Sequence, residues 1–134
     1  SACCTDPFCF VVVTDKQRLA ALAEGLPHGK MLADAPLGIV VCGDKNRAHG
    51  GEISYLLQDC SAAIENLLLA AAALGLGACW LGVHPREDRI DHLRKTLRLP
   101  NTVVPVSAIA IGWPDEHPEP RTRFRKEAVH HEAW

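Results

Sequence analysis

One long apolar segment constrains the fold of this chain more than any other feature. Over residues 52–74 apolar side chains recur at helical spacing, and from Leu67 onward almost every position is apolar. Such a helix must be covered on both faces, so it lies in a domain centre or at a subunit interface. Because exposed apolar patches of this extent are rare on monomers, we predict an obligate homodimer. The most regular face comprises Leu57, Cys60, Ile64, Leu67, Leu68, Ala71 and Leu74.

Shorter helices and strands are predicted on both sides of this helix. Strands are expected over residues 10–13, 37–42, 78–83 and 103–111, where apolar runs are bounded by turn residues. Helices are expected over residues 15–26 and between His84 and Pro100, where leucines and isoleucine follow helical spacing. This alternation of helices and strands favours an α/β or α+β sandwich.

Length and charge exclude several classes of protein. The 134 residues fit one domain. The net charge is −2, and no basic run is dense enough to bind a nucleic-acid backbone. The longest apolar stretch, from Ile64 to Trp80, has Glu65 and Asn66 at its start and glycines at its end, so it is too short and too interrupted for a membrane span. No basic and then apolar signal precedes the first strand. We therefore expect a cytoplasmic protein without a nucleic-acid or membrane partner.

Three of the six cysteines are interpreted as buried hydrophobic residues, and the six together do not form the pattern of a metal site. Cys42, Cys60 and Cys79 each lie inside an apolar segment, where a free thiol behaves as a small apolar group. Three further cysteines surround an Asp-Pro pair near the first strand, but no Cys-x-x-Cys pair is present. We therefore predict no metal site.

Residue patterns alone do not identify a reaction. Cys79 has no basic neighbour in sequence that would activate it as a nucleophile, and no Gly-x-Ser-x-Gly motif is present. Arg121 and Arg123 alternate in the C-terminal segment, a pattern that fits either a solvated basic tail or a site for phosphate. These patterns therefore identify no nucleophile, and both interpretations of the arginines remain open.

Four segments in order resemble the nitroreductase family of FMN-dependent NAD(P)H oxidoreductases. They are DAPLGIVVCGD, DCSAAIENLLLAAAALGLGACWLGV, LRLPNTVVPVSAIAIGWPDEHPEPRTRF and the ending VHHEAW. The resemblance implies an α+β sandwich in which helices flank a central mixed sheet. It further implies a single domain over residues 1–134, of which residues 113–134 form an extended tail.

The opening SACCTDPFCF is similar to a loop that family members carry before their first strand. In that comparison Ser1 matches the loop's serine, Cys4 its asparagine, Asp6 its glutamine and Phe8 its tryptophan. The family's preceding helix and Arg-x-Ser-x-Arg stretch have no counterpart in this sequence. We therefore expect that the contacts which that stretch makes with FMN are lacking.

The resemblance also implies how FMN would be held between two subunits. One subunit contributes the opening loop and the other contributes the third strand, with backbone N–H groups near the flavin ring. Hydride passes from NAD(P)H to a nitroaromatic, a quinone or a similar acceptor, and the flavin carries this chemistry. The alternative is a non-catalytic relative with the same fold and weak flavin binding. The implied flavin contacts are Ser1, Ala2, Cys4, Trp80, Leu81 and Gly82, the phosphate contacts are Arg121 and Arg123, and the substrate-face aromatics are Phe8, Phe124 and Trp134.

Overall fold

The computed structural model describes residues 1–116, 118–119 and 121–134. Within them four strands and four α-helices alternate along the chain. In chain order they are β1 (Phe8–Val13), α1 (Lys16–Glu24), α2 (Lys30–Asp34), β2 (Leu37–Asp44), α3 (Ile53–Ala73), β3 (Gly77–Gly82), α4 (Glu87–Leu97) and β4 (Val103–Gly112). Short 3-10 turns lie at Ala2–Cys4, His49–Gly51 and Lys126–Ala128.

The four strands form one sheet in the order β1-β2-β4-β3, and every pair of neighbours is antiparallel. The expected α+β sandwich is therefore confirmed, whereas the expected mixed sheet is wrong for the described strands. The connections through α1 and α2 and through α4 return the chain to the end of the sheet that it left, so β1 and β2 are antiparallel, as are β3 and β4. Helix α3 instead crosses to the other end, so β2 and β3 run in the same direction, but β4 lies between them. Gly82, where β3 ends, pairs with Ser107, four residues after β4 begins. This order leaves β1 and β3 as the two edges of the sheet.

Helices cover the sheet on both faces and produce two apolar cores. On one face α1, α2 and α4 enclose a cluster that includes Leu19, Leu22 and Leu93, all fully buried. On the other face α3 packs through Leu56, Cys60 and Ile64, which are also fully buried. Strand residues alternate between the two cores, as period-2 side-chain geometry requires.

The predicted elements match the observed ones within two or three residues, with one omission. Helix α1 begins where the Asp15 side chain accepts a hydrogen bond from the backbone N–H of Arg18 (2.9 Å), and it ends before Gly25. The chain then forms α2, which was not predicted. This helix has five residues and buries only Leu32, so it offers no periodicity to detect.

Helix α3 is covered on one face only within the single chain. By length and composition it could cross a membrane, but its inner face packs on the sheet as the core helix of a globular domain does. On its outer side Leu69 is 60% exposed, and Leu74, just beyond its end, is 72% exposed. The second half of α3 therefore leaves a large apolar surface that no element of the described residues covers.

The described residues after Trp113 are exposed and pack little against the rest of the domain. Trp113, Phe124 and Trp134 are largely exposed, and the Lys126–Ala128 turn buries no residue. The division into one domain and a tail from residue 113 stays a prediction, and it includes His117 and Pro120, which lie outside the described residues.

Candidate functional site

A cavity of about 350 Å³ opens between the N-terminal loop, the edge strand β1 and the first half of α3. Its wall combines two aromatic rings, two small side chains and a few polar groups. The rings of Phe8 and Phe10 lie 6.0 Å apart between centroids. A flat apolar ring system fits such a wall, because the small α3 side chains let it approach the helix closely. The lining residues are Ser1, Asp6, Phe8, Phe10, Asp59, Ala62, Ala63 and Asn66.

The loop is held in place by Asp59, a buried acid on α3. Its Oδ1 accepts a hydrogen bond from the backbone N–H of Ala2 (2.9 Å), and the residue is only 8% exposed. Its Oδ2 is buried and has no hydrogen-bond partner within the described residues. A buried acceptor without a partner is unfavourable, so this oxygen is available to a donor that enters the cavity.

Several loop residues adopt backbone conformations that are uncommon outside glycine. Cys3, Cys4 and Asp6 have φ values of 50°, 55° and 45°. The Ser1 hydroxyl donates to Asp6 Oδ1 and accepts from the Asp6 backbone N–H (3.0 Å), which closes the turn. Cys3 and Cys4 are exposed as a result, and Cys4 is not among the residues that line the cavity.

A second, smaller cavity of about 160 Å³ lies at the opposite edge of the sheet, beside β3. Arg89 Nη1 donates to the Gly82 carbonyl (2.7 Å), so the backbone groups of Gly82 face away from β4. Because strand geometry repeats every two residues, the backbone groups of Trp80 face the same way. The Leu81 side chain is instead buried in the core. All three residues, Trp80, Leu81 and Gly82, line this cavity.

One chain does not bring the two groups of predicted flavin contacts together. The loop lies beside β1 and the Trp80–Leu81–Gly82 segment is in β3, at opposite edges of a four-stranded sheet. Three strand spacings separate such edges by about 14 Å. The two groups of predicted contacts are therefore not adjacent within one chain.

The tail residues predicted to touch FMN or substrate lie at neither cavity. Arg121, Arg123 and Phe124 are exposed, and none of them lines either of the two cavities. Trp134 is fully exposed and stacks on His130 with centroids 4.2 Å apart. Their predicted roles are therefore untested by the single chain.

Several lining residues were missed by the sequence analysis. In the first cavity these are Asp59, Ala62, Ala63 and Asn66 on α3, and in the second Pro27, His28, Gly29 and Arg89. An acid beside Cys60, which lies on the regular apolar face of this helix, was a usable signal for Asp59, because a buried carboxylate requires a partner. The turn between α1 and α2 carried no such signal, since its contact with β3 is set by the tertiary fold.

The buried thiols are held in their neutral form. Burial raises the pKa of Cys42 and of Cys60 to about 12. Burial, and next the nearby Asp44 carboxylate, also raise the pKa of Cys9. Thiols of this kind are poor nucleophiles, which agrees with the interpretation of Cys42 and Cys60 as apolar core residues.

The nitroreductase family model matches residues 6–113, and this range includes all four strands. The chain belongs to the nitroreductase family. A protein of Methanothermobacter thermautotrophicus, named as a candidate NADH dehydrogenase/NAD(P)H nitroreductase, is 42% identical over 96% of this chain. The chain spans 66% of that relative's length.

Solved structures of family members share the fold. A structure named likewise from Parabacteroides distasonis is 41% identical, with a TM-score of 0.93 over 100% of this chain and 77% of that one. An FMN-dependent nitroreductase from Clostridium difficile is 28% identical, with a TM-score of 0.88 over 96% of this chain and 77% of that one. These names describe the relatives, which share the family and the fold of this chain.

The hydrogen-bonding groups at the two cavities are of the kinds that can pair with the polar atoms of a flavin ring. An ideal Cβ built on Gly82 meets no atom within 4 Å, so the β3 edge is open to a flat ring. Outward backbone groups of Trp80 and Gly82 supply donors and acceptors there, and Asp59 Oδ2 supplies an acceptor at the other cavity. The flavin contacts assigned to individual residues remain proposals.

Proposed function

We propose that this chain is half of a homodimeric FMN-dependent oxidoreductase that transfers hydride from NAD(P)H to a nitroaromatic, a quinone or a similar small acceptor in the cytoplasm. The chain spans only 66% of the length of the Methanothermobacter relative. The activity of the whole protein is therefore part of this proposal.

The observation that carries the proposal is the separation of the two cavities. Each one offers half of what a flavin ring requires, and they lie at opposite edges of the sheet. The uncovered outer side of α3, with Leu69 60% exposed, supplies an apolar surface for a second chain. Burial of this surface in a dimer would unite the loop of one chain with the β3 edge of the other.

When bound, FMN supplies the hydride chemistry, and the side chains are not required to act as acid or nucleophile. The chain's own groups position the ring and exclude water. Backbone groups of Trp80 and Gly82 bind its polar rim from one subunit. The loop from Ser1 to Cys4, anchored by Asp59, covers it from the other, and Phe8 offers an apolar face for the acceptor.

We propose that Arg121 and Arg123 bind the phosphate of FMN once the tail docks in the dimer. A charge-assisted hydrogen bond contributes roughly 1.5–3 kcal/mol to binding, so Arg123→Ala should weaken the affinity for FMN about ten- to a hundredfold. Riboflavin, which lacks the phosphate, should bind wild type and variant alike. Titration of both flavins by fluorescence tests this prediction, and equal losses for both flavins would refute it.

The first test of the function is the purified protein itself. A flavoenzyme should be yellow, should show flavin absorbance bands and should oxidise NADH or NADPH when a quinone or nitroaromatic is added. Light scattering on the same sample should give the mass of a dimer. A folded dimer that stays colourless and inactive with added FMN would favour the non-catalytic relative instead.

A further inference from the structure

Arg89 on α4 has a charge that no acid in the described part of the chain neutralises. Its Nη1 donates to the Gly82 carbonyl (2.7 Å), and no carboxylate lies within ion-pair distance of it. Its Nε is buried and has no hydrogen-bond partner within the described residues. A guanidinium has five N–H donors, and a buried donor of a charged group is unfavourable when it stays unpaired.

The cavity beside Arg89 has the charge and the size for part of an anionic ligand. Arg89 and His28 contribute basic side chains to its lining, and none of its described lining residues carries a carboxylate. Its volume of about 160 Å³ is below the range of roughly 300–1,000 Å³ that whole small molecules occupy. It therefore fits a single charged group at the end of a larger ligand.

The bond to Gly82 also fixes the orientation of the arginine. The guanidinium is tied to the edge strand at the place where the flavin contacts are proposed, so its position is set before a ligand arrives. An arginine fork matches the oxygens of phosphate in pairs.

We propose that this cavity is a phosphate subsite in which Arg89 binds a phosphate oxygen of the ligand. The inference rests on the proposed function and concerns NADPH, which carries phosphate, because the phosphate of FMN is assigned above to the tail arginines. It concerns a residue separate from the tail arginines, which lie at neither cavity.

Arg89→Gln tests the subsite, with Arg86→Gln as the matched control. Arg86 is exposed, lies three residues earlier and does not line the cavity. Thermal melting first establishes that both variants fold. Dissociation constants are then measured for FMN against riboflavin, and for NADPH against dihydronicotinamide riboside, its phosphate-free counterpart. Arg89→Lys keeps the charge without the fork and should restore part of the affinity.

The expected result is a loss of about ten- to a hundredfold in NADPH affinity in Arg89→Gln. The affinities for FMN, for riboflavin and for the phosphate-free counterpart of NADPH should be unchanged, as should all affinities of the Arg86→Gln control. Equal losses for a ligand and its counterpart, or no loss relative to Arg86→Gln, would overturn the inference.

A third measurement separates this inference from the proposed function. If wild type binds neither flavin, the proposed function fails, and inorganic pyrophosphate then serves as the probe. Stabilisation of wild type but not of Arg89→Gln against heat would still support the subsite. Equal melting shifts in both proteins, or none in either, would refute it.

Discussion

At the scale of single residues, three thiols show how burial changes the chemistry of one residue type. Cys9 and Cys42 lie opposite each other in β1 and β2, and the Cys60 thiol contacts the Cys42 carbonyl from α3 (3.6 Å). Raised pKa values at all three sites mean that the folded state holds these protons more tightly than the unfolded chain does. The fold therefore depends on their remaining neutral.

We predict that the protein loses stability in alkali for this reason. The Cys42 pKa rises from 9.0 to about 12 on folding, so its contribution is complete below pH 9 and is lost as the pH rises from 9 towards 12. Urea unfolding at a series of pH values between 7 and 10.5 should show the decline. Cys42→Ala should flatten it, whereas alanine at the exposed Cys3 should leave the slope unchanged.

A second prediction concerns Cys4, which matches the loop asparagine of the family. Its φ of 55° lies in the left-handed region, where asparagine is enriched, so Cys4→Asn should fit the loop without strain. One added hydrogen bond, with a net contribution of about 1 kcal/mol, should increase the affinity for FMN about fivefold. Cys3→Asn is the matched control, because Cys3 has a similar φ of 50°. An equal gain in both variants would show a conformational effect only.

At the scale of elements, the contact between β2 and α3 is close enough for a simple substitution to probe. An ideal Cβ on Gly43 would lie 2.3 Å from Leu56 Cδ2, and Leu56 is fully buried. Gly43→Ala therefore forces the two elements apart and should destabilise the fold by about 1–3 kcal/mol. Gly82→Ala, whose Cβ meets open space, should leave the urea midpoint nearly unchanged.

The same element scale explains what the sequence could predict. Long segments with clear periodicity, such as α3 and β4, were predicted within a residue or two of their ends. The pairing direction of the strands was not, because helical connections of this length permit parallel or antiparallel neighbours. The second cavity was missed because the turn at Pro27 meets β3 only in the folded chain.

At the scale of the whole molecule, the outer side of α3 links assembly to function. Leu69→Lys should prevent burial of that surface by a second chain, so light scattering should show that the dimer is lost. If the flavin site is shared, the same variant should bind FMN far more weakly. Gln17→Lys, on exposed α1, is the control for the added charge. A Leu69→Lys dimer with normal flavin content would contradict both expectations.

The strand order has a further consequence for how the chain acquires its structure. Strand β2 lies between β1 and β4, and the pair Asp44 and Val103 is separated by all of α3, β3 and α4. The centre of the sheet therefore forms by closure of a long loop, which is characteristic of slow folding. On the ribosome, one edge of β2 has no partner until β4 has been synthesised. A nascent chain released before residue 103 would expose that edge to pairing with other chains.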